Sequence, residues 1–376
     1  MKVARNYRVG GTVVIPPITD PEPPITQPVS NLVTIIVNFA NTPTATTSFP
    51  KLKYNKSKAI IFEFDDNAGS VVTAYDKLKT TYYTDGCGNQ KNYSLGLAVN
   101  GKNNFNNAEW GDNYPGKASY SQVNGLIPYG LDVMNHSYYH EPNGNYSNGT
   151  NITKNFRDLD DLVQEKYNGY KMNTVVVPTN YAGYQLAARD YGYLVGSSEG
   201  TFDGITPYPS EWNPLGSISG IPKQNYTAIK RTFSDNWTSG GVQWSTISSF
   251  FSSTTADYFE IGTHGIDQNV GNFNSWIDSI AQQANDRILF QSLRELMEYK
   301  HVKENVTKSE QITGNSMKIT LDYSSVPNQH ISWYDLSLLV DSSQSITSVS
   351  IDNTDFNLSY NSSAKLININ RRRTKW

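Results

Sequence analysis

The sequence predicts an α/β protein whose central part is a distorted (β/α) barrel, with an N-terminal arm and a small C-terminal all-β domain. Apolar runs rich in β-branched residues alternate with amphipathic helical segments from about residue 55 to 302, as in a parallel α/β barrel. After about residue 305, short alternating segments and turn residues replace the helices and predict antiparallel strands.

Three segments follow from these patterns. Residues 1–30 form an arm and a Pro-rich spacer, residues 31–304 the barrel, and residues 305–376 the small antiparallel β domain. Six prolines within residues 16–28 favour an extended, semi-rigid spacer. An arm ahead of a stiff spacer is typical of an attachment device, although a disordered leader is equally compatible. Within the barrel, the spacing of leucines predicts one helix over 288–302.

Composition excludes several classes of protein. The net charge of −3 over 376 residues argues against nucleic acid as the main partner. No stretch approaches the ~20 apolar residues of a membrane span. A single cysteine excludes an intrachain disulfide. The first residues lack the apolar core of a secretory signal, so we expect the protein to stay inside the cell or to leave by another route, for example on a virus particle.

Two adjacent carboxylates mark the end of one predicted strand. The run from Lys58 to Phe64 is apolar and aromatic, and Asp65 and Asp66 follow it directly. Buried charges are costly unless they are paired or bind a metal. In α/β barrels this end of a strand is where catalytic side chains lie. A solvated strand end before a turn explains the pair equally well when it is considered alone.

The histidines supply the complementary signal. The chain has five, and His136 and His140 form a His-Ser-Tyr-Tyr-His unit. Four-residue spacing places both imidazoles on one face of a helical turn, and neutral imidazole is a common zinc ligand. Two exposed histidines on a turn are the alternative interpretation. His264 ends another predicted strand, where an isolated histidine is more often structural than catalytic.

Taken together, these residues predict a catalytic metal site. One carboxylate and two imidazoles give three protein ligands and leave a position open for water, which distinguishes a catalytic from a structural divalent-metal site. The second carboxylate is then available as a base, and the lone histidine as an acid.

Three segments resemble the motifs of a known family. Phe64-Asp65-Asp66-Asn67 resembles the first motif of the polysaccharide deacetylases (the NodB homology domain, carbohydrate esterase family 4), usually Thr-Phe-Asp-Asp-Gly. The stretch from Asn135 to His140 is similar to their second motif, His-Ser/Thr-x-x-His. Ile261-Gly262-Thr263-His264 is similar to the fifth, a strand that ends in His. The resemblance covers about residues 55 to 302.

The resemblance implies a division of roles. Asp66, His136 and His140 would bind the metal, with zinc expected, and Ser137 would support this turn through hydrogen bonds. Asp65 would be the general base that takes a proton from metal-bound water. His264 would be the general acid that protonates the leaving group, an amine in the case of an N-acetyl group.

The sequence also departs from the family. The third motif, an Arg followed by Pro and Tyr, is replaced by Val177-Pro178-Thr179-Asn180-Tyr181, and no clear Asp-x-x-Asp-Trp fourth motif is present. The lost Arg leaves the tuning of Asp65 open. The backbone N–H near Tyr181 is a candidate donor to the oxyanion of the tetrahedral intermediate.

Aromatic side chains are the candidates for contacts with sugar. The chain has 25 Tyr and 7 Trp, and among them Trp110 and Trp212 are the predicted substrate contacts. Core packing explains either tryptophan equally well.

The sequence therefore predicts a metal-dependent hydrolase that removes acetyl groups from an acetylated polysaccharide of a capsule or cell surface. A bacteriophage tail or other virion component is the expected setting, extracellular or virion-associated, with attachment through the N-terminal arm and a cytoplasmic location left open. The main alternative is a weak or inactive deacetylase-fold protein that binds surface glycan. A third is amide hydrolysis on a small, non-sugar substrate.

Overall fold

The computed structural model describes residues 31–102, 109–112, 114–140, 149–210, 215–238, 242–327 and 330–371. The predicted arm and spacer, and Trp212, lie outside these residues. The described chain is a mixed α/β fold with a large, mostly parallel sheet, which confirms the predicted class. None of its helices is both long and apolar enough to cross a bilayer.

The strands are numbered in chain order. Their bounds are β1 Leu32–Phe39, β2 Ala45–Ser48, β3 Lys58–Phe64, β4 Tyr82–Thr84, β5 Gln90–Asn92, β6 Gly96–Val99, β7 Asp132–Asn135, β8 Thr174–Val176, β9 Val195–Ser198, β10 Pro207–Tyr208, β11 Leu215–Gly216, β12 Thr227–Lys230, β13 Thr232–Phe233, β14 Tyr258–Thr263, β15 Ile288–Gln291, β16 Thr307–Thr313, β17 Ser316–Asp322, β18 Leu336–Ser342, β19 Ile346–Ile351, β20 Asn357–Asn361 and β21 Leu366–Asn370.

The α-helices are also numbered in chain order. Their bounds are α1 Ser70–Leu78, α2 Tyr120–Leu126, α3 Gly149–Lys166, α4 Tyr184–Tyr191, α5 Val242–Ser252, α6 Val270–Ala284 and α7 Leu293–Asn305.

The large sheet has the order β10-β12-β9-β8-β7-β6-β3-β14-β11, and β15 also pairs with β3. All seven residues of β3 are buried, as expected for a parallel strand covered on both faces. The core beside it is aromatic: Phe62 of β3 packs against Trp276 and Phe273 of α6, and against Trp237. This packing fixes β3 and therefore the position of the two carboxylates at its end.

The sheet curls so that distant strands face each other. Ser197 of β9 contacts Glu63 of β3 and Glu260 of β14, although β9 is not hydrogen-bonded to either strand. One residue, Arg231, separates β12 from β13, and these strands pair with β9 and β14 respectively. Side chains from opposite parts of the sheet therefore meet in its interior.

The strands near the two ends of the described chain share sheets, which corrects the predicted segments. The sequence groups residues 31–304 together and treats residues 305–376 as a separate β domain. Instead, β1 lies between β17 and β19, and β2 pairs with β18. The alternating apolar residues of β1 pack with strands almost 300 residues away, and a local pattern cannot reveal such a partner.

The predicted helix over 288–302 is also wrong at its start. Ile288–Gln291 is strand β15, paired with β3, and the helix begins only at Leu293, capped by Ser292. A short apolar run before a helix fits either element, and here pairing with a buried strand decides between them. The segment from 80 to 128 contains the core strand β6 and the helix α2.

Candidate metal centre

The end of β3 turns sharply to present its carboxylates. Asp66 and Asn67 have φ of 59° and 55°, a left-handed conformation that Asp and Asn adopt more readily than most residues. The Asn67 side chain donates to the Asn100 carbonyl at 2.9 Å and accepts from the Asn100 N–H at 2.7 Å. These two bonds tie the end of β3 to the end of β6 and hold the turn.

Asp66 is the centre of the site. Its Oδ1 lies 3.3 Å from His140 Nε2 and 3.8 Å from His136 Nε2, and its Oδ2 lies 3.9 Å from His264 Nε2. The Asn100 amide donates to Asp66 Oδ1 at 2.9 Å, which fixes the orientation of the carboxylate. Residues from three separate parts of the sequence therefore converge on one carboxylate.

The His-Ser-Tyr-Tyr-His unit is a loop after β7, and the predicted helical turn is wrong. Ser137 and His140 have φ of 63° and 48°, whereas every residue of a right-handed helical turn has a negative φ. The Ser137 N–H donates to Asn135 Oδ1 at 2.8 Å, and the Tyr184 hydroxyl donates to Ser137 Oγ at 3.2 Å. These hydrogen bonds take the place of helical ones, and both imidazoles still face Asp66.

The buried histidine is arranged as a neutral ligand. His136 Nδ1 lies 2.8 Å from the Val176 carbonyl oxygen. A carbonyl only accepts, so Nδ1 carries the hydrogen and Nε2 presents its lone pair toward Asp66. Burial lowers the pKa of His136 to about 4, which favours the neutral imidazole that a metal requires.

The three side chains fit a divalent cation. The ligand atoms of Asp66, His136 and His140 all lie within 4.8 Å of one another. Zinc–ligand bonds near 2.0–2.2 Å in a tetrahedron place ligand atoms about 3.3 Å apart, so small movements would complete the contacts. With three protein ligands, a fourth position remains for water or substrate.

Asp65 is held by an arginine that the sequence motifs did not identify. Arg231 donates from Nη1 to Oδ1 at 2.8 Å and from Nη2 to Oδ2 at 2.6 Å, and both residues are buried. Burial opposes ionisation of Asp65, but the Arg231 guanidinium outweighs it and holds the pKa of the carboxyl below its usual range. A Cβ on Gly262 would stand 2.6 Å from Arg231 Nη1, so this glycine leaves room for the guanidinium.

Removing Arg231 is expected to destabilise the fold strongly. Arg231→Met leaves Asp65 and Glu63 buried without their cation, and breaking such a pair costs about 3–5 kcal/mol. Urea unfolding measures the loss. Arg189→Met is the control, because its partner Asp190 and Arg189 itself are exposed and such a pair contributes only about 0–1 kcal/mol. Equal losses for the two variants would contradict the buried-pair interpretation.

His264 lies on the Oδ2 side of Asp66, and Asp235 orients its imidazole ring. Asp235 accepts from the His264 N–H at 2.7 Å and lies 2.9 Å from His264 Nδ1. This hydrogen bond raises the pKa of His264, while partial burial acts in the opposite direction. The Phe233 ring packs edge-on against the imidazole, with ring centroids 4.6 Å apart. Asp235 and Phe233 therefore hold the imidazole with Nε2 toward Asp66.

The charge on Asp235 is expected to set the alkaline limit of activity. A raised His pKa means that the protonated form persists below that pKa and is lost as pH rises through it. Asp235→Asn should therefore move the alkaline limb of the kcat/KM profile to lower pH. Asp267→Asn, which removes an exposed charge from the loop that carries His264, is the matched control and should leave the limb in place. An unshifted limb in Asp235→Asn would show that His264 is not the titrating acid.

The remaining predicted site residues lie elsewhere. Trp110 is only 6% exposed, donates from Nε1 to the Ala118 carbonyl at 2.8 Å and packs against Tyr120, so it is a core residue and its predicted contact with substrate is wrong. The Tyr181 N–H donates to the Pro178 carbonyl within its own turn, and its role stays a prediction. Trp212 lies outside the described residues.

Sequence reasoning missed Arg231 and Asp235, which lie four residues apart around β13. Arg231 is the single residue between β12 and β13, and it bonds both oxygens of Asp65. The available signal was an arginine directly after the β-branched run of β12, followed by Asp235 and Trp237. Nothing local links that arginine to Asp65, because the two meet only across the curled sheet.

No family model matches the sequence, and no curated protein sequence matches it. Solved structures do resemble the fold. A family 4 carbohydrate esterase from Streptomyces lividans is 14% identical, with a TM-score of 0.37, over 62% of this chain and 91% of that one. A chitin deacetylase from Colletotrichum lindemuthianum is also 14% identical, with a TM-score of 0.37, over 64% and 88%.

A 4-alpha-glucanotransferase from Thermococcus litoralis reaches a similar TM-score of 0.38 at 12% identity, over 64% of this chain and 40% of that one. A fold hosts many activities, so the side chains of the site are the basis for its function.

Proposed function

We propose that this protein is a metal-dependent hydrolase that removes acetyl groups from an acetylated polysaccharide. The observation that carries the proposal is the convergence of Asp66, His136 and His140 within 4.8 Å, with His264 beside Asp66 and Asp65 next in the chain. On this proposal the curled sheet is the distorted barrel of the polysaccharide deacetylases, a divergent example, with the site at the carboxyl ends of its strands.

Asp66, His136 and His140 would hold the cation, for which zinc is the proposed species. A divalent ion there would lower the pKa of a bound water to about 7 and polarise the acyl oxygen of the substrate. The hydrogen bonds from Asn100 to Asp66, and between His136 and Val176, orient two of the three ligands.

The protons would move between two protein groups. Asp65, ionised under the influence of Arg231, would accept the proton of the attacking water. His264, whose pKa is raised by its hydrogen bond with Asp235, would donate a proton to the departing nitrogen or oxygen of the sugar. Base and acid follow the ends of two different strands, β3 and β14, and each transfer would use its own group.

Metal removal tests the proposal directly. Protein dialysed against a chelator should release no acetate from acetylated glycans, and added Zn²⁺ should restore release, with metal content measured in the same samples. N-acetylated and O-acetylated polysaccharides should be compared side by side. A protein that contains no divalent metal, and that no divalent ion activates, would favour the glycan-binding alternative.

The proposed setting is extracellular or virion-associated, on a phage tail or another part of the particle, with attachment through residues 1–30. The Pro-rich composition of this segment supports it. Deletion of residues 1–28 should abolish attachment to the particle and leave acetate release intact. Loss of acetate release with attachment retained would count against the proposal.

A further inference from the structure

A second pair of carboxyl groups is buried in the sheet interior near Asp65. Glu63 of β3 and Glu260 of β14, here called the glutamate pair, are 0% and 1% exposed. Ser197 of β9 lies between them, with its Oγ 2.9 Å from Glu63 Oε2 and 2.5 Å from Glu260 Oε1.

The hydrogen bonds around Ser197 require a proton on one glutamate. A serine hydroxyl has a single hydrogen, and an ionised carboxylate can only accept. Ser197 Oγ therefore donates to one glutamate and accepts a carboxyl hydrogen from the other. Glu63 Oε2 also accepts from Arg231 Nη1 at 3.2 Å, so Glu63 is the ionised partner and Glu260 carries the proton.

A count of charges also favours one bound proton on the pair. With every carboxyl ionised, Asp65 and the glutamate pair would place three negative charges against the single positive charge of Arg231. Uncompensated buried charge is costly, and one bound proton removes part of the excess. Burial raises the pKa of Glu260 to about 7, and burial together with the charge of Glu260 raises the pKa of Glu63.

The surroundings contain few other titratable groups that act on the pair. These are Arg231, Asp65 and the buried Tyr258 on the same strand as Glu260. Among the described residues, Glu63 Oε1, Glu260 Oε2 and Arg231 Nε have no hydrogen-bond partner. No second cation among them is therefore placed to neutralise the pair.

We propose that the glutamate pair holds one shared proton and acts as a positioning unit that keeps the two Nη groups of Arg231 on Asp65. With the proton bound, a single carboxylate competes with Asp65 for the guanidinium. Without it, two would compete, and Arg231 would be drawn toward the glutamates and away from Asp65. The effect on Asp65 as a base rests on the proposed function, whereas the shared proton does not.

Infrared spectroscopy tests the shared proton without any assay of activity. At pH 6, the metal-free wild-type protein should show the C=O stretch of buried protonated carboxyls, and Glu260→Gln should lose part of that intensity. Asp160→Asn is the matched control, because Asp160 is also buried, with its pKa raised by burial to about 7, but bonds Tyr193 elsewhere in the fold. Its spectrum should keep the Glu260 band. Unchanged carboxyl intensity in Glu260→Gln would overturn the proposal.

A second, smaller substitution tests the same proton in case Glu260→Gln does not fold. Ser197→Ala keeps both carboxyls and removes the hydroxyl between them, so the protonated-carboxyl band should change frequency without losing intensity. A band at the wild-type frequency would mean that Ser197 does not bridge the pair, which contradicts the proton count.

The positioning role has its own readout. Glu63→Gln removes the carboxylate that competes for Arg231, so Arg231 bonds Asp65 alone, and kcat should fall while KM keeps its wild-type value. An unchanged kcat would remove the positioning role. A protein that releases no acetate at all would contradict the proposed function. The infrared measurement would still test the shared proton, because it does not depend on activity.

Discussion

Replacement of His140 by alanine is expected to abolish binding of a divalent metal and to reduce acetate release by more than about 10³-fold. The imidazole is one of three ligands, and its Nε2 lies 3.3 Å from Asp66 Oδ1. Two remaining ligands hold an ion weakly, so the activated water and the polarised acyl group are lost together. Metal content after dialysis and acetate release are the measurements.

His136→Ala should have the same effect on metal binding at a greater cost in stability. Its side chain is buried, and its removal leaves the Val176 carbonyl without the imidazole hydrogen, a penalty of about 1–3 kcal/mol. The exposed His330 provides the control, because His330→Ala removes an imidazole far along the chain from every predicted ligand. Full metal binding in both ligand variants would refute the site.

Asp65→Asn is expected to separate metal binding from catalysis. The amide keeps the shape of the side chain but cannot accept the proton, and a general base contributes about 10²–10⁴-fold to the rate. Metal content should remain, because the ligands Asp66, His136 and His140 are untouched. Asp160→Asn, a change at another buried carboxyl, should leave the rate unaltered.

The stability of Asp65→Asn should be measured alongside its rate. Arg231 then loses a charged partner but still bonds Glu63, so the loss should be smaller than in Arg231→Met. Acetate release at the wild-type rate would mean that Asp65 is not the base. Loss of metal together with activity would mean that Asp65 and Asp66 do not have separate roles.

The proposed metal ligands were predictable because each of their signals is local. Asp65 and Asp66 follow an apolar strand directly, and His136 and His140 are four residues apart. The structure brings these residues together with His264. The backbone that links His136 to His140 is a loop with positive φ angles and not a helix. Short spacing restricts two side chains to a common region whichever backbone conformation links them.

The supporting residues were not predictable for the opposite reason. Arg231 bonds Asp65 across 166 positions of the chain, and Ser197 joins strands that are not neighbours in the sheet. The burial of Trp110 depends on Tyr120 and Tyr167, packed around it in three dimensions. Only the tertiary fold creates these contacts, so composition and periodicity do not predict them.

The position of β1 between β17 and β19 has a consequence for synthesis of the chain. Phe39 leaves the ribosome roughly 280 residues before β17 is complete, a delay of about 15–55 s at ordinary translation rates. During that time the apolar face of β1 has no partner strand, and its exposed backbone groups can pair with other nascent chains. We therefore expect the large sheet to form first and the two smaller sheets last, so that chaperone dependence and aggregation during expression arise mainly from residues 32–48.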